Sequence, residues 1–437
     1  MNLFYITTLG CKVNQYESNG IATTLINNGW TRVEAVEKAS VCIVNTCAVT
    51  ARAAVQSRQA IRSIIRTNPG AKVIVTGCHA QTEPDLVGKI EHVHSVVGHG
   101  DKFKIAETLI SPDQGIDSLP FPEKSYCTLT QFQGFEPAVT GNMTRAYLKI
   151  QDGCNAFCSY CIVPYARGRS RSMPMDEVLA HLAYLHEKGY KEVILTGIHT
   201  GAWGADFPEK RSFLDLLKTI VEKSPIHRVR ISSIEPIEIS DEIIGLAADH
   251  AIICDHFHIP LQSGDDGILK RMGRPYDTGY FRELVLKIHE TMPRAAMGID
   301  VLQGFPGESD QAFERTHALL AGLPISYLHV FPFSPRKGTP AFDYPDRVAP
   351  GILKQRCAAM RALGREKRRA FELGNIGQRF GAIIQEQRDR ETGMLKAVTS
   401  NYLTLLVKGG DDLKRSAVDI LVDSIDARGR LHGIPLT

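Results

Sequence analysis

Three short apolar segments near the start of the chain each run directly into a cysteine. Leu3–Thr8 leads to Cys11, VCIVNT leads to Cys47 and AKVIVTG leads to Cys78. Helical patterns separate them, as in Asn14–Asn28, which stops at Gly29, and a further strand-like run, His94–Val97, extends the series. Strands alternating with helices fold as a parallel sheet covered by helices. In such a sheet ligands collect beyond the carboxyl ends of the strands. Three thiols distant in sequence are therefore predicted to share one crevice and to form a metal or iron–sulfur site. A catalytic thiol, a zinc site and simple core packing are the alternatives. Packing suits Cys42, which lies inside its strand. Asn14 reads as the cap of the first helix.

A second set of cysteines is more compact. AYLKIQDGCNAFCSYCIVPYARG places Cys154, Cys158 and Cys161 in a C-x3-C-x2-C pattern after a strand, with Tyr160 just before the last cysteine. A loop of this size can gather three thiolates around one four-iron cluster. One iron then lacks a protein ligand and is open to the amino and carboxylate groups of a small molecule. A zinc knuckle completed by a distant histidine is the alternative.

The chain has no apolar run of the ~18 residues a membrane span needs, and no basic segment ahead of an apolar N-terminal stretch. It is expected in the cytoplasm, off the membrane, where its ten cysteines stay reduced rather than forming disulfides. Cys127, Cys254 and Cys357 fit neither pattern and read as ordinary.

The 437 residues divide into three units and a linker. Residues 1–110 hold the first alternating series. Residues 111–142 are rich in Pro, Gly and polar residues and read as a linker with room for a short strand. Residues 143–371 alternate again, with strands at Ala146–Ile150, Glu192–Leu195, Arg228–Ser232, His256–Ile259, Gly298–Val301 and Tyr327–Phe331. About six such units suggest a barrel or partial barrel. Residues 374–437 show short alternating strands at Phe380–Gln385, Leu395–Thr399, Leu403–Val407 and Val418–Val422, as in a small β-barrel. The expected class is α/β: a flavodoxin- or Rossmann-like sheet, a partial (βα)6-type barrel and a terminal β-barrel.

A formal net charge of +3 does not identify a nucleic-acid partner, so any basic footprint must be local. Arg58, Arg62 and Arg66 recur every four residues and share one helix face. They could contact phosphates or form the solvated side of an amphipathic helix. Arg167, Arg169 and Arg171, and the basic helix Lys354–Arg369, pose the same choice. The terminal unit holds nine Lys/Arg against eight Asp/Glu from Gly374 onward, so its charge alone does not make it an RNA binder.

The C-x3-C-x2-C pattern with an aromatic before its last cysteine resembles the radical S-adenosylmethionine superfamily. TLGCKVNQYES, NTCAVT and VTGC resemble the methylthiotransferases within it. The similarity continues through ILTGIHTGAWG, RISSIEP, HFHIPLQSGDDGILKRMGRPY, GFPGES and HVFPFSPRKGTPA, and the terminal barrel resembles the RNA-binding TRAM domain. TLGCKVNQYES is the form of the branch acting on N6-threonylcarbamoyladenosine beside the anticodon of tRNA. Sister branches act on isopentenyladenosine in tRNA or on a ribosomal-protein aspartate. Two details depart from the common pattern: His79 stands where tyrosine is frequent, and DVLQGFPGES replaces a more usual DIIVGFPGET.

The resemblance implies two [4Fe-4S] clusters. One, on Cys154, Cys158 and Cys161, would bind S-adenosylmethionine and generate a deoxyadenosyl radical that activates carbon 2 of adenine. The other, on Cys11, Cys47 and Cys78, would carry the sulfur, and a second S-adenosylmethionine would supply the methyl group. Such chemistry belongs to cofactors, because no side chain is a strong enough base for that C–H bond. Tyr160, Thr196, Gly197, Ser233 and Glu235 are the expected cofactor contacts. Glu235 could instead close a buried ion pair with a barrel arginine. His256, His258 and Gln262 receive no catalytic role. The implied partners are tRNA and an electron donor such as flavodoxin or ferredoxin, with the sulfur donor left open. A metal-dependent RNA-binding module without turnover is the rival from another class.

Overall fold

The structure is a computed structural model that describes residues 2–111, 115–123, 126–137 and 143–436. Its first sheet has strands β1 (Leu3–Thr8), β2 (Thr31–Arg32), β3 (Val41–Thr46), β4 (Lys72–Gly77) and β5 (Val93–Val96). They lie in the order β2-β1-β3-β4-β5 and pair in parallel throughout. This is the flavodoxin-like order, whose ligand crevice lies at the switch between β1 and β3. Every residue of β3 is buried, as its near-continuous apolar sequence requires between two helical layers.

Helix α1 (Lys12–Asn27) follows β1, and helix α2 (Ala51–Thr67) follows β3. The Thr50 side chain caps α2 by accepting from Ala53 N at 3.0 Å. Only one stripe of α2 is buried: Ala54, Ser57, Ile61 and Ile64. Helix α1 differs, burying polar Asn14, Glu17 and Ser18 along with its apolar residues. The reason is its position. Phe4, Tyr16, Ile21 and Leu25 share one apolar core with Leu148 and Ile150 of the following unit, so α1 is covered on both sides.

Asn14 does not cap α1, contrary to the sequence reading. Cys11 is the flanking residue. Asn14 lies in the first turn and donates to Leu9 O at 2.7 Å and Thr46 O at 3.1 Å, tying the ends of β1 and β3 together.

Within the expected linker, residues 112–114, 124–125 and 138–142 lie outside the described residues. Among the described ones there is a single turn, Ile116–Ser118, and no strand. Phe135 anchors the segment: Tyr16 Oη donates to its carbonyl at 2.6 Å, and its ring stacks on Phe103 with centroids 4.2 Å apart.

The central unit opens with β6 (Ala146–Lys149) and an antiparallel pair, β7 (Gln151–Asp152) and β8 (Arg171–Ser172). Strands β9 (Glu192–Thr196), β10 (Arg228–Ile231), β11 (His256–Gln262), β12 (Ala296–Gln303) and β13 (Tyr327–Pro332) follow. Two parallel three-stranded sheets, β10-β9-β6 and β11-β12-β13, are joined by the bridges Val229–Ile253 and Ser233–His258. The result is a partial barrel of six parallel strands with β6 and β13 at its edges.

The terminal unit is a closed barrel, β14-β15-β16-β18-β17, formed by β14 (Arg379–Ile384), β15 (Leu395–Thr399), β16 (Thr404–Val407), β17 (Ala417–Ile425) and β18 (Leu431–Leu436). Strand β18 is absent from the sequence reading, because Gly433 and Pro435 interrupt its pattern. This barrel seats on the N-terminal ends of the central strands. Arg228 donates to the carbonyls of Gly381 and Val398, and Arg230 to those of Thr399 and Ser400, all between 2.8 and 2.9 Å. Glu192, fully buried, holds both guanidinium groups. Tyr402, in the turn between β15 and β16, lies under Arg230 at 4.8 Å and against His256 at 4.5 Å.

The basic helix Lys354–Arg369 lies within Pro350–Gly374; of its cations Arg356 is buried, while Lys354, Arg361, Arg365, Arg368 and Arg369 are exposed. Arg356 is buried on Glu308 and Asp310, Lys367 donates to Ala321 O and Leu323 O, and Arg368 pairs with Glu372.

Candidate functional site

Cys11, Cys47 and Cys78 stand at the carboxyl ends of β1, β3 and β4. Cys47 and Cys78 are buried and Cys11 is exposed. Gly10 lets the first two approach. It has φ +102°, and a Cβ there would lie 2.9 Å from Cys47 Cβ and 3.0 Å from its sulfur. Gly77, at φ +95°, has no room for a Cβ beside Thr46. The three thiols feel one another electrostatically. Burial pushes Cys78 up to about 12, with Cys47 and Cys11 adding to the rise and Arg167 opposing it. Burial also raises Cys47, again with a contribution from Cys11.

The second trio occupies the loop after β7. A Cβ at Gly153, φ +75°, would come 1.9 Å from Arg169 O, so only glycine allows the turn into Cys154. Gln151 braces the loop from within. Its Nε2 donates to Gly153 O at 2.8 Å and Ser170 Oγ at 2.8 Å, while Oε1 accepts from Ile198 N at 3.0 Å and His199 N at 2.8 Å. Arg274 Nη1 donates to Cys158 Sγ at 3.4 Å, and His199 Nδ1 lies 3.5 Å from Cys154 Sγ. Burial raises Cys158 and takes Cys161 up to about 12. Buried thiols of this kind ionise readily only when a bound cation supplies the missing charge.

All six cysteines are free thiols. Among the described residues, only His258, Asp300 and His329 bring three ligand atoms within 4.8 Å of one another. The sulfurs of either trio are thus spread wider than the ~3.8 Å edge implied by tetrahedral Zn–S bonds of about 2.3 Å. Soft, all-sulfur donor sets with wide spacing fit an iron–sulfur cluster better than a single zinc ion.

The short helix Val163–Arg167 connects the two sites. Ala166 packs with Ala48 and Cys78. Arg167, also buried, bonds Glu17 at 3.0 Å, Asp152 at 2.9 Å and Asn14 Oδ1 at 2.6 Å. Lys102 and Lys149 complete the network on Glu17 at 2.5 and 3.5 Å. Burial alone would raise the Glu17 carboxyl, but Arg167, Lys102 and Lys149 hold it well below the usual range. Arg167 and Arg171 are therefore buried structural ions, and Arg169 alone of that run is exposed.

The expected cofactor contacts divide. Tyr160 packs edge-on against Phe305 at 6.4 Å. Thr196 is buried and its carbonyl accepts from Ile150 N at 2.9 Å. Gly197 leaves space for Gln151, whose Oε1 would lie 2.9 Å from an added Cβ. Ser233 bridges to His258 through its backbone. Glu235 pairs with Arg274, the arginine that also reaches Cys158. Arg274 and Gln151 are not singled out by the sequence, and Arg167, read there as a candidate phosphate contact, is instead a buried ion between the two sites. The GRPY stretch carries Arg274 but no spacing rule marks it.

Deeper in the barrel, His258 Nε2 and His329 Nδ1 both meet Asp300 Oδ1, at 2.6 and 3.2 Å. His256 bonds Tyr327 Oη at 2.7 Å. On α2, Arg62 and Arg66 are exposed, whereas Arg58 is half-buried with Nη1 3.2 Å from His79 Nε2. The N-terminus of α2 touches the barrel loop through Ala51 N and Ser334 Oγ at 2.8 Å. Among the described residues, no helix is long and apolar enough to cross a membrane.

Residues 3–98 match the uncharacterized protein family UPF0004, and residues 148–320 match the radical SAM superfamily. The chain is 37% identical over 89% of its length to a protein of Rickettsia prowazekii named threonylcarbamoyladenosine tRNA methylthiotransferase MtaB, 89% of which is covered. It is 38% identical over 95% of its length to the Bacillus subtilis protein of the same name, covering 92% of it. A Dictyoglomus thermophilum protein named tRNA-2-methylthio-N(6)-dimethylallyladenosine synthase is 31% identical, with 94% of each chain covered. Among solved structures, the radical S-adenosylmethionine methyltransferase TsrM of Kitasatospora setae, with cobalamin and a [4Fe-4S] cluster bound, shares the fold. It superposes with a TM-score of 0.58 at 16% identity, over 78% of this chain and 77% of that one.

Proposed function

Because this chain belongs to the radical S-adenosylmethionine methylthiotransferases, we propose that it places a methylthio group on carbon 2 of N6-threonylcarbamoyladenosine beside the anticodon of tRNA. The observation that carries the reading is the presence of two separate sulfur trios joined by Val163–Arg167. One trio alone would serve radical generation and leave the sulfur unaccounted for. The choice of base follows the names of the relatives at 37% and 38% identity.

Cys154, Cys158 and Cys161 would hold one [4Fe-4S] cluster and Cys11, Cys47 and Cys78 a second, and with S-adenosylmethionine bound these groups supply the radical, sulfur and methyl chemistry. The remaining work falls to the chain. Arg274 stabilises the Cys158 thiolate by charge-assisted donation. Gln151 locks the cysteine loop to the segment after β9, so that the sulfurs keep their spacing. Tyr160, Thr196, Gly197, Ser233 and Glu235 shape the cofactor pocket, with Glu235 acting through Arg274. Burial takes His79 down to about 4, so it stays neutral beside Arg58 near Cys78. An external one-electron donor such as flavodoxin or ferredoxin and a sulfur source complete the cycle.

Arg62 and Arg66 are exposed on the C-terminal half of α2 and suit phosphate contacts, with Arg58 held at His79 rather than reaching out. The Arg62→Glu/Arg66→Glu double variant is expected to weaken tRNA binding at least tenfold at 150 mM salt and to flatten its salt dependence. Filter binding checks this; an unchanged Kd with unchanged slope removes α2 from the interface.

Nucleoside mass spectrometry of tRNA from cells with and without the gene tests the function. Loss of the methylthio form of N6-threonylcarbamoyladenosine, with its precursor accumulating, supports the reading. Loss of the methylthio isopentenyl form reassigns the base, and unchanged tRNA redirects the search to ribosomal proteins.

A further inference from the structure

We propose that the inward face of β13 is the platform on which the target purine stacks, with Phe331 carrying the ring and His329, fixed by Asp300, meeting its polar edge. The inference rests on the substrate reading above and names the residues that hold that base.

β13 is an edge strand of the partial barrel, and its side chains alternate between two environments. Leu328 and Val330 pack against the apolar core, and Gly364 of the helix Pro350–Gly374 comes up against Leu328, so that face is covered. Tyr327, His329 and Phe331 share the opposite, inward face. Their rings form a ladder, with centroids 5.2 Å apart from Tyr327 to His329 and 6.4 Å apart from His329 to Phe331. A closed barrel fills such a face with side chains from the strands opposite. Here the barrel is open, and the side chain of His329 stays 48% exposed and Phe331 44%. One exposed ring is ordinary, but a ladder of rings left open on a concave face marks a binding surface.

The His329 ring is held in place. Asp300 lies opposite it on β12, and Asp300 Oδ1 accepts from His329 Nδ1 at 3.2 Å and from His258 Nε2 at 2.6 Å. The His258 ring meets His329 edge-on at 4.9 Å. Asp300 Oδ2 and His329 Nε2 take no hydrogen bond among the described residues, which leaves an acceptor and a second ring nitrogen for a ligand. A purine offers both matching features: a flat π face for the rings and N–H and ring-nitrogen groups along its edge. No lysine or arginine belongs to the ladder, so it suits a base rather than a phosphate.

The ladder also leads to the reacting groups. At its lower end Tyr327 lies 6.3 Å from Tyr402 of the terminal barrel. Beyond its upper end Phe333 packs on Phe305 at 5.5 Å, and Phe305 meets Tyr160, beside Cys161, at 6.4 Å. The next residue, Ser334, accepts from Ala51 N at 2.8 Å, at the start of the helix that follows Cys47. The end of β13 is therefore tied to both cysteine loops, and a base stacked at Phe331 lies where radical and sulfur have to meet.

The test uses the full-length, cluster-loaded enzyme and two stem-loop RNAs, one with N6-threonylcarbamoyladenosine at the target position and one abasic there. Wild type is expected to bind the intact RNA about tenfold more tightly than the abasic one. Phe331→Ala and Phe331→Leu are expected to bind the two equally, at unchanged iron content, and Phe331→Tyr to keep the preference. Leucine restores apolar bulk without a π face, so this pattern separates stacking from packing. Equal binding of the two RNAs by wild type overturns the assignment, and so does a Phe331→Leu enzyme that prefers the intact RNA as strongly as wild type. Methylthio product on the intact RNA is read by mass spectrometry in parallel. Product formed by wild type together with either of those binding results overturns this assignment alone, and no product from wild type overturns the substrate reading and this assignment together.

Discussion

Replacing Cys158 with alanine is expected to abolish both cofactor cleavage and methylthiolation, while Cys11→Ala abolishes methylthiolation alone. The two trios are built differently, and the difference predicts the split. Cys158 is buried and its sulfur is the acceptor for Arg274, which is fixed in turn by Glu235 and Tyr276. Alanine removes the ligand and leaves that guanidinium without its sulfur partner, so the loop loses charge balance as well as a metal bond. Cys11 is exposed at the rim of the other crevice, where its loss leaves the Cys154–Cys161 loop and Gln151 untouched. Cofactor cleavage read by chromatography and methylthio nucleoside read by mass spectrometry check the pair. Activity of Cys158→Ala above about one per cent of wild type, or loss of cofactor cleavage in Cys11→Ala, contradicts the division of labour.

Glu17→Gln is expected to be the most destabilising single substitution at the contact between the first two units. The Glu17 carboxylate is the shared partner of Arg167, Lys102 and Lys149, each nearly fully buried. Removing it strands three cations, with Asp152 able to compensate only Arg167 and Lys149. Breaking a buried pair in this way costs about 3–5 kcal/mol. Because the folded carboxyl is held below its unfolded value, its contribution is complete above about pH 4.3 and is lost as pH falls below that. Wild type should therefore lose stability on acidification below about pH 4.3 and Glu17→Gln should lose less, having already lost it at neutral pH. Urea unfolding at pH 7 gives the main result, and a decrease under 1 kcal/mol denies the network its role.

Much of this architecture is legible in the chain because local and tertiary signals agree. β1, β3 and β4 are apolar runs ending in glycine or threonine and then cysteine, and the sheet carries all three to one edge. The compact spacing of Cys154, Cys158 and Cys161 needs no tertiary information. The ion network was not legible, because Glu17, Asp152 and Arg167 look like ordinary surface residues until α1 is covered from both sides. The same effect misleads for Arg171 and Arg356, which read as RNA contacts and fold inward onto carboxylates. Asn14 has cap chemistry, but the carbonyls of Leu9 and Thr46, at the ends of two different strands, claim its amide first. β18 escaped notice because its partner strands, rather than its own pattern, hold it in place.

The claim on which the account turns is that one chain carries two clusters, and anaerobic iron and sulfide counting tests it most directly. The wild-type protein should hold about eight irons, and about four should remain when either trio is replaced by alanine. About four irons in the wild type, all lost with one trio and none with the other, would contradict it.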